Sequence, residues 1–261
     1  MSNKNYTIAN ATASRIIKDL HITAPEQIDI EAIAGDKNAF VKYDSIKGSS
    51  ARLVKHGSVG IISINKKIRE QGQKRFAIAH ELGHFILHKS HNQIAECTDE
   101  MFLNWYKSRP EEPESNAFAS EILMPSQIFK NYCRSPIPSF DEIRNLATDF
   151  NTSLTATAIK YIDNTPHPCV LVVSENKKVK WIHWRQDFPY RIIPKGSIIC
   201  EDSCANDFFN KGQVPLNPEP LSGDVWLEDW YDGRQIILYE HAIALSYYNV
   251  VLSLIWAEKY D

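Results

Sequence analysis

No run of apolar residues in this chain approaches the length of a membrane span, and the amino-terminal MSNKNYT has no apolar h-region. A cytoplasmic protein without membrane association is therefore expected. Five cysteines, Cys97, Cys133, Cys169, Cys200 and Cys204, form neither a CxxC pair nor an even framework. They read as reduced thiols, and a second metal at Cys200 and Cys204 would need ligands that the sequence does not offer. Charge of one sign is also lacking: 29 Lys and Arg against 32 Asp and Glu leave a net charge of −3 and a pI near 6.3. A chain-wide basic footprint is absent, and direct nucleic-acid binding is not expected. What is present is ordinary globular composition, 43% hydrophobic and 23% charged over 261 residues, enough for a substantial core.

Against that background the stretch RFAIAHELGHFILH, residues 75–88, stands out because it carries HExxH inside an unbroken helical pattern. Residues four apart share a helix face, so His80 and His84 can offer two imidazole nitrogens to one metal ion. Glu81 sits about 100° round the helix from His80, too far to be a ligand but able to reach a metal-bound water. This is the layout of a zinc hydrolase. The flanking Phe76, Ile78, Ala79, Leu82, Phe85, Ile86 and Leu87 are apolar nearly all round, which predicts a buried helix. Two buried histidines and a glutamate without partners would cost several kcal/mol, a cost that a bound metal removes.

Catalytic zinc takes three protein ligands and keeps a fourth position open for water. His88 lies about 12 Å along the helix axis from His80, so one ion cannot conveniently hold both. A metzincin would place glycine three residues, and histidine six, after the second histidine; Leu87 and Ser90 stand there, and His91 is out of step. His88 and His91 therefore read as helix-end residues or as supports behind the ligands, structural rather than catalytic. A second helix is announced by EEPESNAFASEIL, residues 111–123, with Pro113 and acidic residues in its first turn and Phe118, Ile122 and Leu123 on its buried face. Glu112 is the preferred third ligand, with Glu114 as the alternative. Asn116, four residues after Glu112, can hydrogen-bond a histidine ligand from behind and orient it.

RFAIAHELGHFILH followed by EPESNAFASEILMP resembles the ImmA/IrrE family of metallopeptidases, whose second helix reads E-x-x-A-N-x-F-A-x-x-L-L-M-P. Ser115 replaces the usual alanine and Ile122 the usual leucine. The likeness extends back to the strand Ile61 to Asn65 and covers residues 50–125 best. Carried over position by position, it makes His80, His84 and Glu112 the ligands of one zinc ion in a gluzincin-like site and Glu81 the catalytic residue. It also implies a role in transcription regulation tied to mobile genetic elements and stress, with a helix-turn-helix repressor as protein substrate.

The expected architecture is α+β. Residues 1–135 form a zincin-like metallopeptidase domain with a small sheet beside the active-site helix, 136–165 a helix pair, and 166–261 a β-rich carboxy-terminal module. Helices are expected at 8–20, 25–34, with Gly35 as the stop, and about 70–88; strands at 39–43, 51–54 and 58–64. In zinc peptidases of this kind an edge strand receives an extended peptide by β-addition. Between the metal-bearing helices, Met101, Phe102, Trp105 and Tyr106 suggest a helix over the cleft. Ser139 with Glu142 reads as a capping box. The pair 139–162 resembles a helix-turn-helix, yet its second helix offers only Lys160 as a base, so a structural role is expected. Hairpins are expected at 169–184, turning through Glu175 and Asn176, and at 226–239, turning through Asp232 and Gly233, with 214–220 as a loop and 250–256 closing the sheet.

The chemistry that follows is metal-assisted peptide hydrolysis with Glu81 as base, the oxyanion donor being one of Tyr106, Arg109, Tyr132 or His183. Two other readings remain: a non-catalytic module that sequesters a repressor around a structural zinc, and a DNA-binding regulator using residues 139–162.

Overall fold

Ala9, Ala13, Ile16 and Ile17 recur at helical spacing and are buried, so α1 (Asn3–Asp19) covers one face and exposes the other. This computed structural model describes residues 3–88, 95–97, 111–228 and 236–257. The segment expected to lie over the cleft and the Asp232 and Gly233 turn fall outside the described residues.

The described chain is α+β, as expected, and divides into two compact units, Met1–Tyr132 with Ala147–Ala156 and Cys133–Leu146 with Thr157–Asp261. In the first unit the expected helix at 25–34 is replaced by a 3-10 turn, Pro25–Gln27, and a separate helix α2 (Ile30–Asp36). Asp29 causes the break: its carboxylate accepts the amides of Glu31 and Ala32 and starts a new helix. Gly35 lies inside α2 rather than ending it.

Strands β1 (Ala39–Asp44), β2 (Ala51–His56) and β3 (Val59–Asn65) follow the expected positions, and with β4 (Ala95–Cys97), which was not expected, they form a sheet in the order β1-β3-β2-β4. β3 runs parallel to β1 and antiparallel to β2, and β4 pairs antiparallel with β2. Helix α3 (Gln71–Leu87) returns from β3 along the sheet and buries every residue from Ala77 to Phe85. Its end is held by Lys55 of β2, whose Nζ donates to the carbonyls of Phe85 at 3.1 Å and His88 at 3.3 Å. A cation on the last free carbonyls also complements the helix dipole. Helix α4 (Glu111–Leu123) packs on α3 and α1. Buried Glu121 ties α4 down by accepting from Ser14 Oγ at 2.8 Å and from the amide of Ser126, which begins the short α5 (Ser126–Phe129).

Helices α6 (Phe140–Asp149) and α7 (Leu154–Asn164) are joined by a turn in which Asn151 takes a φ of 50°. Only half of the expected capping box forms: Ser139 Oγ accepts the Glu142 amide at 3.2 Å, while Glu142 Oε1 accepts the amides of Arg134 and Ser135, both at 2.7 Å.

The second unit carries the antiparallel sheet β6-β5-β9-β8-β7, made of β5 (Cys169–Glu175), β6 (Lys178–Trp184), β7 (Glu219–Ser222), β8 (Ile237–Leu245) and β9 (Val250–Ala257), with helix α8 (Cys204–Lys211) against it. The β5–β6 turn is Asn176 and Lys177, one residue later than expected, with φ of 52° and 60° as a two-residue hairpin turn demands. β8 pairs with Glu219–Ser222, and not with the described part of the expected partner, residues 226–228. Pro220 marked this stretch as a loop, but an edge strand tolerates a residue without an amide proton. Trp226 is instead buried in the core, its Nε1 donating to Glu240 at 2.8 Å.

Among the described residues no helix is long and apolar enough to cross a membrane, and Cys133, Cys169, Cys200 and Cys204 are free.

Candidate metal centre

His80 and His84 are one turn apart on α3, both buried, with their Nε2 atoms 3.0 Å apart. Glu112, in the first turn of α4, brings Oε2 to 3.1 Å from His80 Nε2 and 3.6 Å from His84 Nε2. The ligand atoms of the three all lie within 4.8 Å of one another.

Asn116 lies one turn after Glu112 and sets its Oδ1 2.9 Å from His80 Nδ1. An amide oxygen can only accept, so Nδ1 holds a proton, and in the neutral imidazole Nε2 then presents its lone pair to the centre. Burial pushes the Glu112 carboxyl upward, and His80 and His84 outweigh that and hold it well below the usual carboxylate range when they carry the Nε2 protons that a metal ion would displace. Metal ligands must be deprotonated, and Glu112 is. A proton on His84 Nε2 could bridge to one neighbour only, whereas a cation satisfies His80, His84 and Glu112 together. These residues fit a single metal ion.

Glu81 follows His80 on the same helix and is fully buried. Glu114, the alternative third ligand, is not in the cluster: its Oε2 lies 3.9 Å from His88 Nδ1. His88 caps the end of α3, with Nε2 3.4 Å from Ser115 Oγ, and stands outside the three-residue group. Of the oxyanion candidates, Tyr132 packs edge-on against Phe150 at 5.5 Å and His183 Nε2 is bonded to Asp163 Oδ1 at 2.8 Å. Tyr106 and Arg109 lie outside the described residues.

One determinant escapes motif reading. A Cβ added at Gly83 would lie 3.1 Å from Ser115 Cα and 3.2 Å from Phe118 Cδ1. The bare backbone at Gly83 thus lets α4 approach close enough for Glu112 to reach the histidines. The available signal was a glycine in the middle of an apolar helix, which usually has a packing reason.

Residues 38–161, from just before β1 into α7, match the peptidase family described as the IrrE N-terminal-like domain. Residues 38–161 are similar to that domain. The likeness to the ImmA/IrrE family seen in the two helix sequences is borne out, and both helices of the metal centre lie inside the matched stretch. No curated protein matches the chain. Among solved structures it is similar to a Mycobacterium tuberculosis transcriptional regulator, with a TM-score of 0.60 and 14% identity over 96% of this chain and 76% of that one. At that identity the likeness is one of fold. The matched stretch runs from β1 into α7, and the fold likeness continues through the antiparallel sheet beyond it.

Proposed function

We propose that the chain is a zinc-dependent endopeptidase in which His80, His84 and Glu112 hold one zinc ion and Glu81 is the general base. The observation that carries this reading is the convergence of three buried donor atoms on one point, with Glu81 next to them in sequence. Ligands with bonds of about 2.1 Å to a tetrahedral zinc ion stand about 3.4 Å apart, close to the 3.0, 3.1 and 3.6 Å found here. Bound zinc supplies a Lewis acid that acidifies water and polarises a carbonyl. Asn116 keeps His80 in the tautomer and orientation that ligation needs. Glu81 takes the proton from the attacking water and delivers it to the leaving amine. A structural zinc would need no such base.

The substrate is a regulatory protein, best a helix-turn-helix repressor, and the chain acts in transcription regulation from the cytoplasm. The family likeness supports this, and so does a fold neighbour that is itself named as a transcriptional regulator. That neighbour also favours a second reading, in which the domain binds a repressor without cutting it.

The two separate in one experiment. Zinc-loaded protein is incubated with a panel of helix-turn-helix repressors, and cuts are mapped by mass spectrometry. The wild type makes one defined cut; Glu81→Gln keeps its zinc and makes none. Undiminished cutting by Glu81→Gln would overturn the role of Glu81, and a wild type that binds the repressor without cutting it would favour sequestration.

A further inference from the structure

An extended peptide adds to a sheet through the unpaired amides and carbonyls of an edge strand. In the first unit β2 would be an edge of the sheet beside the active helix were it not paired with β4. Ala95–Cys97 pairs antiparallel with it in the register Ala51 to Cys97, Arg52 to Glu96 and Leu53 to Ala95.

The position of this pairing relative to the metal centre follows from three anchors. α3 turns back on β3, and β2 is antiparallel to β3, so β2 and α3 run in the same direction. Lys55 of β2 is fixed at the carboxy-terminal end of α3 by its bonds to Phe85 and His88. The side chain of Leu53 and the ring of Phe85 converge on Gly60. A strand rises about 3.3 Å per residue and a helix 1.5 Å, so the four residues from Lys55 back to Ala51 cover about nine residues of α3. Residues 51–53 therefore run beside the turns that carry His80 and His84. β4 occupies the stretch of edge where an extended peptide would lie across the metal centre.

We propose that Ala95–Cys97 is an internal competitor for the peptide-binding edge, holding β2 closed until a substrate strand displaces it. This rests on the peptidase reading above. Its design is physically coherent. A three-residue strand makes few ladder bonds, so a longer peptide that pairs further along β2 outcompetes it. Its attachment between α3 and α4 keeps its effective concentration high in the resting protein, which shields the edge from short, unspecific peptides. It also covers amides that would otherwise be an open aggregation edge.

The test uses the full-length, zinc-loaded chain. Ladder hydrogen bonds alternate along an antiparallel pair, so one of any two successive amides faces β2, and Ala95→Pro with Glu96→Pro removes it in either phase. A second variant replaces residues 94–98 with glycine and serine at constant length. The probe is a fluorescent synthetic peptide of residues 92–100, kept reduced and followed by anisotropy, with deuterium uptake measured at residues 51–53. Both variants should bind the probe at least tenfold more tightly than the intact chain. They should also exchange faster at residues 51–53 until the probe is added. Equal binding to all three proteins, binding to none, or weaker binding to the variants would overturn the proposal; the last would mean that β4 itself presents the edge. Zinc content is measured in parallel, so a failure of the metal centre is read separately from a failure of the strand.

Discussion

Gly83→Ala tests whether the metal centre depends on the closeness of α3 and α4. The new Cβ would stand 3.1 Å from Ser115 Cα, 3.2 Å from Phe118 Cδ1 and 3.3 Å from Ser115 Cβ, all short of the 3.4 Å at which ordinary contact begins. The phenylalanine ring can yield, but Ser115 Cα is backbone and moves only with its helix. Overpacking of this kind costs about 1–3 kcal/mol. Alanine in place of glycine in a helix returns about 1 kcal/mol, so the net effect on the fold is a loss of about 0–2 kcal/mol. The metal centre should suffer more clearly. His84 is carried by α3 next to Gly83, while Glu112 is carried by α4 one turn before Ser115, so separating the helices by a few tenths of an ångström acts directly on their 3.6 Å spacing. Zinc affinity should fall about tenfold, the lower end of what disturbed ligand support costs. A competition titration against a chromogenic chelator reads this, with thermal melts of the metal-free proteins alongside. Gly35→Ala is the control: it lies in α2 with nothing within 4 Å of the new Cβ, so it should stabilise the fold by about 0.5–1 kcal/mol and leave zinc affinity unchanged. Unchanged zinc affinity in Gly83→Ala, together with a raised melting temperature, would refute the reasoning.

Asn116→Ala removes the acceptor that fixes His80 Nδ1–H, and zinc affinity in the same titration should drop about 10–100-fold with the melting temperature of the metal-free protein little changed; equal affinity would mean that the hydrogen bond does not orient the ligand. Buried Glu240 accepts the amides of Cys204 and Ala205, Trp226 Nε1 and Ser253 Oγ, yet burial outweighs these donors and raises its pKa above the ordinary 4.5. Between 4.5 and the raised value the folded chain keeps a proton that the unfolded chain has lost, so stability falls as pH rises through that window. Glu240→Gln should abolish this slope in melting temperature against pH, and a slope identical to that of the wild type would assign it to other groups.

The parts of the fold that could be read from sequence were those where local chemistry and tertiary packing agree. Strands β1 to β3, the active helix and the Pro113 helix alternate or repeat at the period of the element they form, and each ends at turn-forming residues. Misreadings came where one side chain overrode the pattern. Asp29 started a helix inside a longer periodic run. Pro220 suggested a loop, but β7 is an edge strand whose missing amide proton costs the ladder little. Trp226 looked like a strand aromatic and is instead an indole donor to a buried carboxylate 14 residues later. In the metal centre, the spacing of His80 and His84 was legible because helix geometry fixes it. Glu112 was preferred over Glu114 with Asn116 four residues after it, and it is Glu112 that joins the histidines, although both lie in the same first turn of α4. What separates them is the rotation of α4 against α3, set by the contact of Gly83 with Ser115.

Two buried glutamates in this chain make the case for a cation at the centre by contrast. Glu240 is wholly inaccessible, and its oxygens meet four hydrogen-bond donors, the arrangement of a structural carboxylate that anchors a helix start and a sheet. Glu112 is nearly as buried, but the groups around its Oε2 are the Nε2 atoms of two histidines, one of which Asn116 has fixed as a lone pair. A core built for stability surrounds an acid with donors, because an acceptor facing acceptors loses solvation and gains nothing. Asn116 makes the mismatch worse in the absence of an ion, since turning the other tautomer inward would have supplied a proton. Its placement is intelligible only if the lone pair is wanted. The same chemistry that would destabilise a histidine pair in an ordinary core is what a metal site requires.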